Sequence, residues 1–304
     1  MILKGLVIMV DVKTVLLNYK IGGNISIKKI NSGRTSQVYQ IISNEKTWIL
    51  RTLRDETQGL LEFEITNHIR EKAKGIVPRI ICTKEGHPFV KAGSDLYQLQ
   101  EYIPGQTPPR NKEVHSIIGK VTGQFHSAME SFESNRNQRD RFHLMELWEM
   151  AQEKWESLRK YSPDIVPNLQ DMESKIDELA IVSEHQPHFI HGDLGTWNML
   201  FDHEGIRIID FGESRKGHFY FDLATAITSS IPEACDRRTQ QQSVFDVLKG
   251  YETHREKIET DRLYTYIELW IYRGVLATLA YTNTAEQAVS HFVLLKQMEN
   301  LLKK

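Results

Sequence analysis

The chain has 304 residues, of which 40% are hydrophobic and 26% are charged, and its formal net charge is −2 at pH 7. A chain of this size can bury the cores of two lobes, and its near-neutral charge excludes the basic surface that nucleic-acid binding requires. We therefore expect a globular protein without a nucleic-acid partner.

Only two cysteines occur, Cys82 and Cys235, and they stand far apart. This excludes a disulfide framework and a cysteine zinc site, and it predicts a cytoplasmic location. The apolar start MILKGLVIMV has about half of the roughly 20 residues that a membrane-spanning helix needs, so we expect no membrane association.

Residues 1–103 are predicted to form a small N-terminal lobe. Alternating runs between about residues 25 and 53 (ISIKKI, SQVYQII, TWILRTL) indicate antiparallel strands, and GLLEFEITNHIREKAKG has the apolar spacing of a helix. Further strands are predicted in PRIICT, HPFVKA and DLYQLQEYI. The breaker cluster PGQTPPRN then predicts a lobe boundary after Ile103.

Residues 104–304 are predicted to form a larger, mainly helical lobe with a polar hairpin in its middle. KEVHSIIGKVTGQFHSAMESF, HLMELWEMAQEKWESLRKY and the chain from Ala224 to Lys304 show helical patterns. Between them, HFIHGDLGTWNML and GIRIIDFGES read as strand-like pieces around a turn at Asp202–Gly205. The predicted fold class is therefore α+β.

The polar residues of the hairpin predict a phosphoryl-transfer site. Asn198 and Asp210 lie on the two arms, so their oxygens can converge on one hard cation such as Mg²⁺. Asp193, at the start of the loop, is placed to accept a hydroxyl proton. An Asp for the nucleophile with an Asn and an Asp for metal is the usual set for phosphoryl transfer.

The motifs H191-G-D193-L-G-T-W-N198, I-I-D210-F-G and F-D222-L-A resemble the aminoglycoside phosphotransferase/choline kinase branch of the protein-kinase-like fold. The resemblance implies a bilobal fold, ATP and Mg²⁺ as cofactors, and a small-molecule hydroxyl acceptor. That acceptor would be an aminoglycoside, an amino alcohol or a homoserine-like compound. The sequence does not predict which acceptor is used, nor the oligomeric state.

The resemblance also implies nucleotide-binding residues in the N-terminal lobe. NSGRTSQVY would cover the phosphates, with Gly33 and Ser36 as candidate contacts. Arg51 occupies the position of the usual phosphate-binding Lys, and Glu64 in FEITNHI would be its ion-pair partner, with Glu62 and Glu71 as competing candidates. Backbone groups of Glu101–Ile103 would hydrogen-bond the purine.

Supporting roles are implied for two residues of the larger lobe. Asp222 would begin a helix as its N-cap and hold the catalytic loop, and His191 would fix that loop rather than act as the base. Trp197 stands where small or helix-breaking residues are common in the resembling family, and its bulk would restrict the acceptor pocket.

Three alternative interpretations stay open. His185, His188 and His191 have a spacing that would gather zinc ligands on a helix, although Pro187 disfavours that helix. A Ser/Thr protein kinase is disfavoured because the short segment between Asp210 and Asp222 leaves little room for an activation loop. A non-catalytic nucleotide-binding pseudokinase is disfavoured by the intact set of two aspartates and one asparagine.

Overall fold

A computed structural model of the chain describes residues 11–30, 36–44, 46–232, 235–282 and 284–302. The chain divides into two compact units, one of Met1–Pro104 with Ser134–Asn137 and one of Gly105–Glu133 with Gln138–Lys304. The division at Pro104 lies next to the predicted boundary, whereas the return of Ser134–Asn137 to the first unit was not predicted. The predicted α+β class is confirmed by a sheet-rich first unit and a mainly helical second unit.

Among its described residues, the first unit contains an antiparallel sheet and two helices. Its elements are α1 Val12–Leu16, β1 Ile25–Ile30, β2 Val38–Ser43, β3 Lys46–Leu53, α2 Glu56–Lys72, β4 Ile80–Ile81, β5 Val90–Ala92 and β6 Asp95–Glu101. The strand order is β1-β2-β3-β6-β4, and β5 pairs with β6. The predicted strands and the predicted helix are thus confirmed, whereas α1 was not predicted.

Strand alternation assigns the two faces of this sheet to different partners. Leu50 of β3 and Leu99 of β6 stand opposite each other and join a core that includes Val15 and Tyr19 from the α1 region. Since successive side chains of a strand point to opposite faces, Arg51 points away from that core. The sheet therefore presents a buried cation on the face opposite α1.

The second unit contains seven helices and four short strands among its described residues. They are α3 Lys112–Met129, α4 Leu144–Tyr161, α5 Leu169–Ser183, β7 His188–Ile190, β8 Met199–Asp202, β9 Gly205–Ile208, β10 Arg215–Gly217, α6 Phe219–Ser230, α7 Arg237–Tyr251, α8 Thr260–Tyr281 and α9 Ala285–Leu302. None of the helices in the described part of the chain is long and apolar enough to cross a membrane.

Two small antiparallel ladders frame the polar loop of the second unit. β8 and β9 form the predicted hairpin, with Met199 opposite Ile208 and Asp202 opposite Gly205. β7 pairs instead with β10, where Ile190 stands opposite Arg215. The sequence between β7 and β8 is therefore clamped at both ends by ladders of backbone hydrogen bonds.

Helix α6 forms the buried centre of the second unit. Every residue from 221 to 230 is buried, as expected for a helix that is apolar on all sides. The helix starts at Phe219, before the predicted Ala224, and its N-cap is His218, whose side chain accepts the backbone N–H of Tyr220. Asp222 lies inside the first turn, so the prediction that it is the N-cap is wrong.

Helices α3 and α7 approach each other to backbone contact. A Cβ atom on Gly119 of α3 would overlap the carbonyl of Val247, and one on Gly250 of α7 would overlap the carbonyl of Ser116. Only glycine can occupy these two positions without separating the helices. The close contact fixes the relative position of the side chains that the two helices carry.

Candidate active site

The polar loop between β7 and β8 turns sharply at Gly192. Gly192 has a φ of +81°, which favours glycine, and a Cβ atom there would overlap Arg215 and the carbonyl of Glu213. A short 3₁₀ turn, Thr196–Asn198, then leads into β8. The loop thus reverses within a few residues, and it carries Asp193 at its start and Asn198 at its end.

Asp222 holds the beginning of this loop through two hydrogen bonds from the backbone. Its Oδ2 accepts the backbone N–H of His191 at 2.7 Å, and its Oδ1 accepts that of Gly192 at 2.9 Å. Burial raises the pKa of the Asp222 carboxyl, but its hydrogen bond with His126 and the backbone N–H of His191 outweigh burial and lower it. A buried carboxylate therefore anchors the loop through its backbone.

His126 and Tyr251 complete that anchor. His126 Nε2 lies 3.4 Å from the Asp222 carboxylate, and His126 Nδ1 lies 2.8 Å from the hydroxyl of Tyr251. An Nε2–H that donates to Asp222 and an Nδ1 that accepts from Tyr251 satisfy all three groups. Burial lowers the pKa of His126, which fits a histidine that packs in the core rather than one that exchanges protons.

Both ring nitrogens of His191 form hydrogen bonds with backbone groups. Its Nε2 lies 3.0 Å from the carbonyl of Ile209, and its Nδ1 accepts the N–H of Asp193 at 3.3 Å. The ring therefore ties the loop to the end of β9. An imidazole engaged in this way has no nitrogen left to take a proton from a substrate.

The Asp193 carboxylate receives two hydrogen bonds from its own loop, and both reach Oδ2. Asn198 Nδ2 donates to it at 3.0 Å, and the indole Nε1 of Trp197 donates at 3.2 Å. Burial raises the pKa of Asp193, His191 and Trp197 lower it, and the nearby charge of Asp210 raises it. The net direction is upward, which brings a carboxyl closer to the pKa that a general base needs.

Asn198 and Asp210 occupy neighbouring positions where the hairpin ends. The N–H of Ile209 donates to the carbonyl of Asn198 at 2.9 Å, which extends the β8–β9 pairing by one step. Asn198 Nδ2 donates to both the carbonyl and the Oδ2 of Asp193, so its Oδ1 is directed away from Asp193. An amide oxygen and a carboxylate are oxygen ligands of the kind that Mg²⁺ prefers, and this donor set fits such an ion.

Asp210 itself has a left-handed backbone, with φ 62° and ψ 71°. Non-glycine residues adopt this conformation at a cost, and Asp and Asn adopt it more readily than most because their side chains bond locally. Here the side chain accepts the backbone N–H of Gly212 at 3.4 Å. The strained backbone sets the direction in which this carboxylate leaves the hairpin.

In the first unit, the ion-pair partner of Arg51 is Glu62 and not the predicted Glu64. Arg51 and Glu62 form a salt bridge in which both side chains are buried, and Gln58 Nε2 donates to Glu62 Oε1 at 2.7 Å. Glu64 instead accepts hydrogen bonds from Ser134 and Arg136. Two residues correspond to about 200° of helical rotation, so Glu62 and Glu64 leave α2 on nearly opposite sides.

The other predicted nucleotide contacts have different outcomes. Gly33 lies outside the described residues, and Ser36 immediately precedes the extended chain that enters β2. The N–H of Glu101 donates to the carbonyl of Arg79 at 2.8 Å, so this group is already engaged within the sheet. Its carbonyl and the backbone at Ile103 stay candidates for contact with a purine.

A buried cluster beside the loop was not predicted from the sequence. Asp140 binds Arg215 Nη2 at 3.0 Å and Arg273 Nη2 at 2.9 Å, and Arg215 also donates to the carbonyl of Gly192 at 3.3 Å. Burial raises the pKa of Asp140, but the two guanidinium groups outweigh it and hold the pKa well below its usual range. Through Arg215, the cluster contacts the loop at the carbonyl of Gly192.

The zinc interpretation is not supported. No group of three or more His, Cys, Asp or Glu side chains that could hold a metal ion occurs in the part of the chain that the structure describes. His188 stacks on Phe219 with 4.1 Å between ring centroids, and His191 is bound to the backbone as described above.

The fold and the sequence of this chain are similar to those of known phosphotransferases. The model of the phosphotransferase enzyme family, APH, matches residues 26–256. No curated protein matches the chain.

Solved structures of three kinases share the fold over nearly the whole chain. Amicoumacin kinase hAmiN, in complex with AMP-PNP, Ca²⁺ and Ami, has a TM-score of 0.70 at 16% identity over 95% of this chain and 92% of that one. The microcompartment-associated aminopropanol kinase has 0.68 at 18% over 95% of both chains. Choline kinase from Cryptosporidium parvum Iowa II has 0.61 at 15% over 95% and 96%. The predicted protein-kinase-like fold is thereby confirmed.

Proposed function

Because the chain belongs to the phosphotransferase enzyme family, we propose that it transfers the γ-phosphate of ATP to a hydroxyl group of a small molecule. One observation carries the proposal: a single loop holds the Asp193 carboxylate beside Asn198, and Asp210 follows the strand that pairs with that loop's exit. ATP as donor is supported by the similarity to hAmiN, whose solved complex contains AMP-PNP.

Asp193 is the proposed base. Both hydrogen bonds from the loop end on Oδ2, so Oδ1 accepts no hydrogen bond from the described residues and can receive the proton of an acceptor hydroxyl. As that proton moves to Asp193, the acceptor oxygen forms a bond to the γ-phosphorus and the bond to the leaving ADP breaks. The raised pKa of Asp193 favours this proton transfer near neutral pH.

Asn198 Oδ1 and the Asp210 carboxylate are the proposed ligands of Mg²⁺. The cation, when bound, would neutralise charge that builds up on the phosphate oxygens. Asn198 is held for this role because its Nδ2 is fixed on Asp193. The same amide therefore links the proposed base to the proposed metal ligands, so a change at Asn198 would affect both.

Arg51 is proposed to bind phosphate oxygens of the nucleotide. Its guanidinium is oriented by Glu62, which is in turn held by Gln58. A planar guanidinium forms paired hydrogen bonds to phosphate more readily than a lysine does, so replacement of the usual Lys keeps both charge and binding capacity. Glu62 replaces Glu64 in the proposed set.

The proposed acceptor is an aminoglycoside, an amino alcohol or a homoserine-like compound. The similarity to an amicoumacin kinase, an aminopropanol kinase and a choline kinase supports a small hydroxyl-bearing acceptor. A protein acceptor is disfavoured because only residues 211–218 separate Asp210 from α6, and β10 already occupies part of that segment. This leaves no activation loop of the usual length.

The proposal is tested by measuring ADP release with a panel of the three acceptor classes and generic protein acceptors, each with ATP and Mg²⁺. We expect release with at least one small molecule, and we expect Asp193→Asn to lower kcat by about 10²- to 10⁴-fold while ATP binding persists. Asp210→Asn should abolish the Mg²⁺-dependent part of ATP binding. Asp202→Asn, whose carboxylate binds Arg207 in the same hairpin, is the matched control and should keep activity.

An Asp193→Asn variant that is as active as the parent protein would overturn the assigned base. Phosphorylation of the protein acceptors without turnover of any small molecule would overturn the assigned acceptor class.

A further inference from the structure

The Trp197 indole donates a hydrogen bond at its edge, although the residue is half-exposed. Its indole Nε1–H donates to Asp193 Oδ2 at 3.2 Å, yet the residue is 49% exposed. The ring is stacked on Trp270 of α8, with 6.3 Å between centroids and 23° between planes. Indole N–H groups usually donate to a partner when the ring is packed, and here that partner is the proposed catalytic base.

Gly195 provides the space for this indole. Gly195 has an ordinary backbone conformation, with φ −86° and ψ 166°, so its lack of a side chain does not serve the turn. A Cβ atom at this position would overlap three atoms of the Trp197 ring. The loop therefore places a glycine where the indole must cross the backbone to reach Asp193.

We propose that Trp197 is a positioning residue for Asp193, and this proposal deepens the proposed function and rests on it. The indole N–H and the Asn198 amide hold Oδ2 from two directions, so the carboxylate cannot rotate freely. Oδ1 is then fixed toward the acceptor hydroxyl. Trp270 stabilises the indole orientation by stacking, and Gly195 allows it.

The hydrogen bond also restricts the orientation of the base. Oδ2 is held by the indole N–H and by the Asn198 amide, so loss of the indole donor should let the carboxylate rotate and should lower kcat with little change in acceptor KM. A purely structural packing role would not separate kcat from KM in this way.

The first test is spectroscopic and does not depend on activity. The protein has five tryptophans, so ¹⁵N labelling gives five indole N–H signals, and the one missing in Trp197→Phe identifies Trp197. We expect its shift to move in Asp193→Asn, which replaces the charged acceptor of this N–H, and to stay unchanged in the control Asp202→Asn. A Trp197 signal that is unchanged in Asp193→Asn would overturn the proposal.

The second test uses kinetics with the best acceptor of the panel. Trp197→Phe keeps an aromatic ring but removes the donor, so kcat should fall by roughly tenfold with little change in acceptor KM, the loss expected for one hydrogen bond to a charged group. Trp148→Phe, which removes a buried indole of α4, is the matched control and should leave kcat unchanged.

Gly195→Ala supplies an independent variant with the tryptophan intact. Its methyl group should displace the indole and reproduce the kinetic effect of Trp197→Phe, and the double variant should be no worse than Trp197→Phe alone. Additive losses, or an unchanged kcat in Trp197→Phe, would overturn the proposal. If Asp193→Asn stays active although its Trp197 signal has moved, the assignment of the base fails and the hydrogen bond stands.

Discussion

The Asp222 carboxylate accepts the backbone N–H of His191 at 2.7 Å although the side chains of both residues are fully buried. The position of the loop between β7 and β8 is therefore set by a charge in the core of the second unit rather than by residues at the surface. We expect stability and the proposed catalysis to depend on the same group, because the loop that carries Asp193 starts at this hydrogen bond.

Asp222→Ala should destabilise the protein and lower kcat together. The change leaves the N–H groups of His191 and Gly192 without their acceptor, and each buried donor without a partner costs about 1–3 kcal/mol. We expect the free energy of unfolding in urea to fall by about 3 kcal/mol or more. The exposed Asp261→Asn is the control, and an equal loss in both variants would contradict the anchoring role.

Glu62→Gln and Glu64→Gln form a matched pair on one helix. Glu62→Gln removes the buried partner of Arg51, so we expect a loss of about 3–5 kcal/mol in unfolding free energy and a raised KM for ATP. Glu64→Gln removes a partly exposed ion pair with Arg136 and should cost less than about 1 kcal/mol. Urea unfolding and ATP kinetics measure both effects, and a larger effect from Glu64 would favour the original prediction.

Asp140→Asn should remove a pH-dependent part of the stability. The pKa of Asp140 is lower in the folded state than in the unfolded state, so its contribution is present above the unfolded pKa and is lost as pH falls toward the folded one. At neutral pH we expect a loss of about 3–5 kcal/mol, because Arg215 and Arg273 lose their shared carboxylate.

Urea unfolding at several pH values measures this dependence. The acid-side slope of stability against pH should be shallower in Asp140→Asn than in the parent protein. The exposed Asp177→Asn should leave the slope unchanged, and an unchanged slope in Asp140→Asn would contradict the assignment.

As the pH is lowered, the activity of the parent protein should begin to decline at a pH above the ordinary pKa range of an aspartate. Burial raises the pKa of Asp193, and the base acts only when it is ionised, so kcat falls as pH drops through this raised value. The pH dependence of kcat at saturating ATP and acceptor measures it. A profile that stays flat down to the pKa of a solvent-exposed carboxyl would show that Asp193 does not limit the rate as a base.

Local features were predictable because they depend on short stretches of sequence. Strand alternation and the Asp202–Gly205 turn predict the hairpin, and the hairpin in turn places Asn198 near Asp210. The predicted role of Asp193 follows from its spacing to these two residues. Each of these inferences spans about 20 residues or fewer, which is the range over which periodicity and turn chemistry act.

Features that depend on packing between distant segments were not predictable in the same way. Glu62 and Glu64 are both acidic and close in sequence, and only the rotation of α2 against β3 selects Glu62 as the partner of Arg51. The pairing of Asp140 with Arg215 and Arg273 joins three separate elements. The sequence indicates the bulk of Trp197, but its hydrogen bond to Asp193 depends on the path of the loop over Gly195.

For the proposed reaction, the glycine contact between α3 and α7 extends the structural requirements far from the Asp193 loop. Gly119 lies on the helix that carries His126, and Gly250 directly precedes Tyr251, whose hydroxyl meets that imidazole. An added methyl group would force the two helices apart and draw the His126 imidazole away from the Asp222 carboxylate that holds the loop. Natural variation should accordingly be as restricted at this helix crossing as in the loop itself, and inactivating substitutions will arise there without touching nucleotide or acceptor.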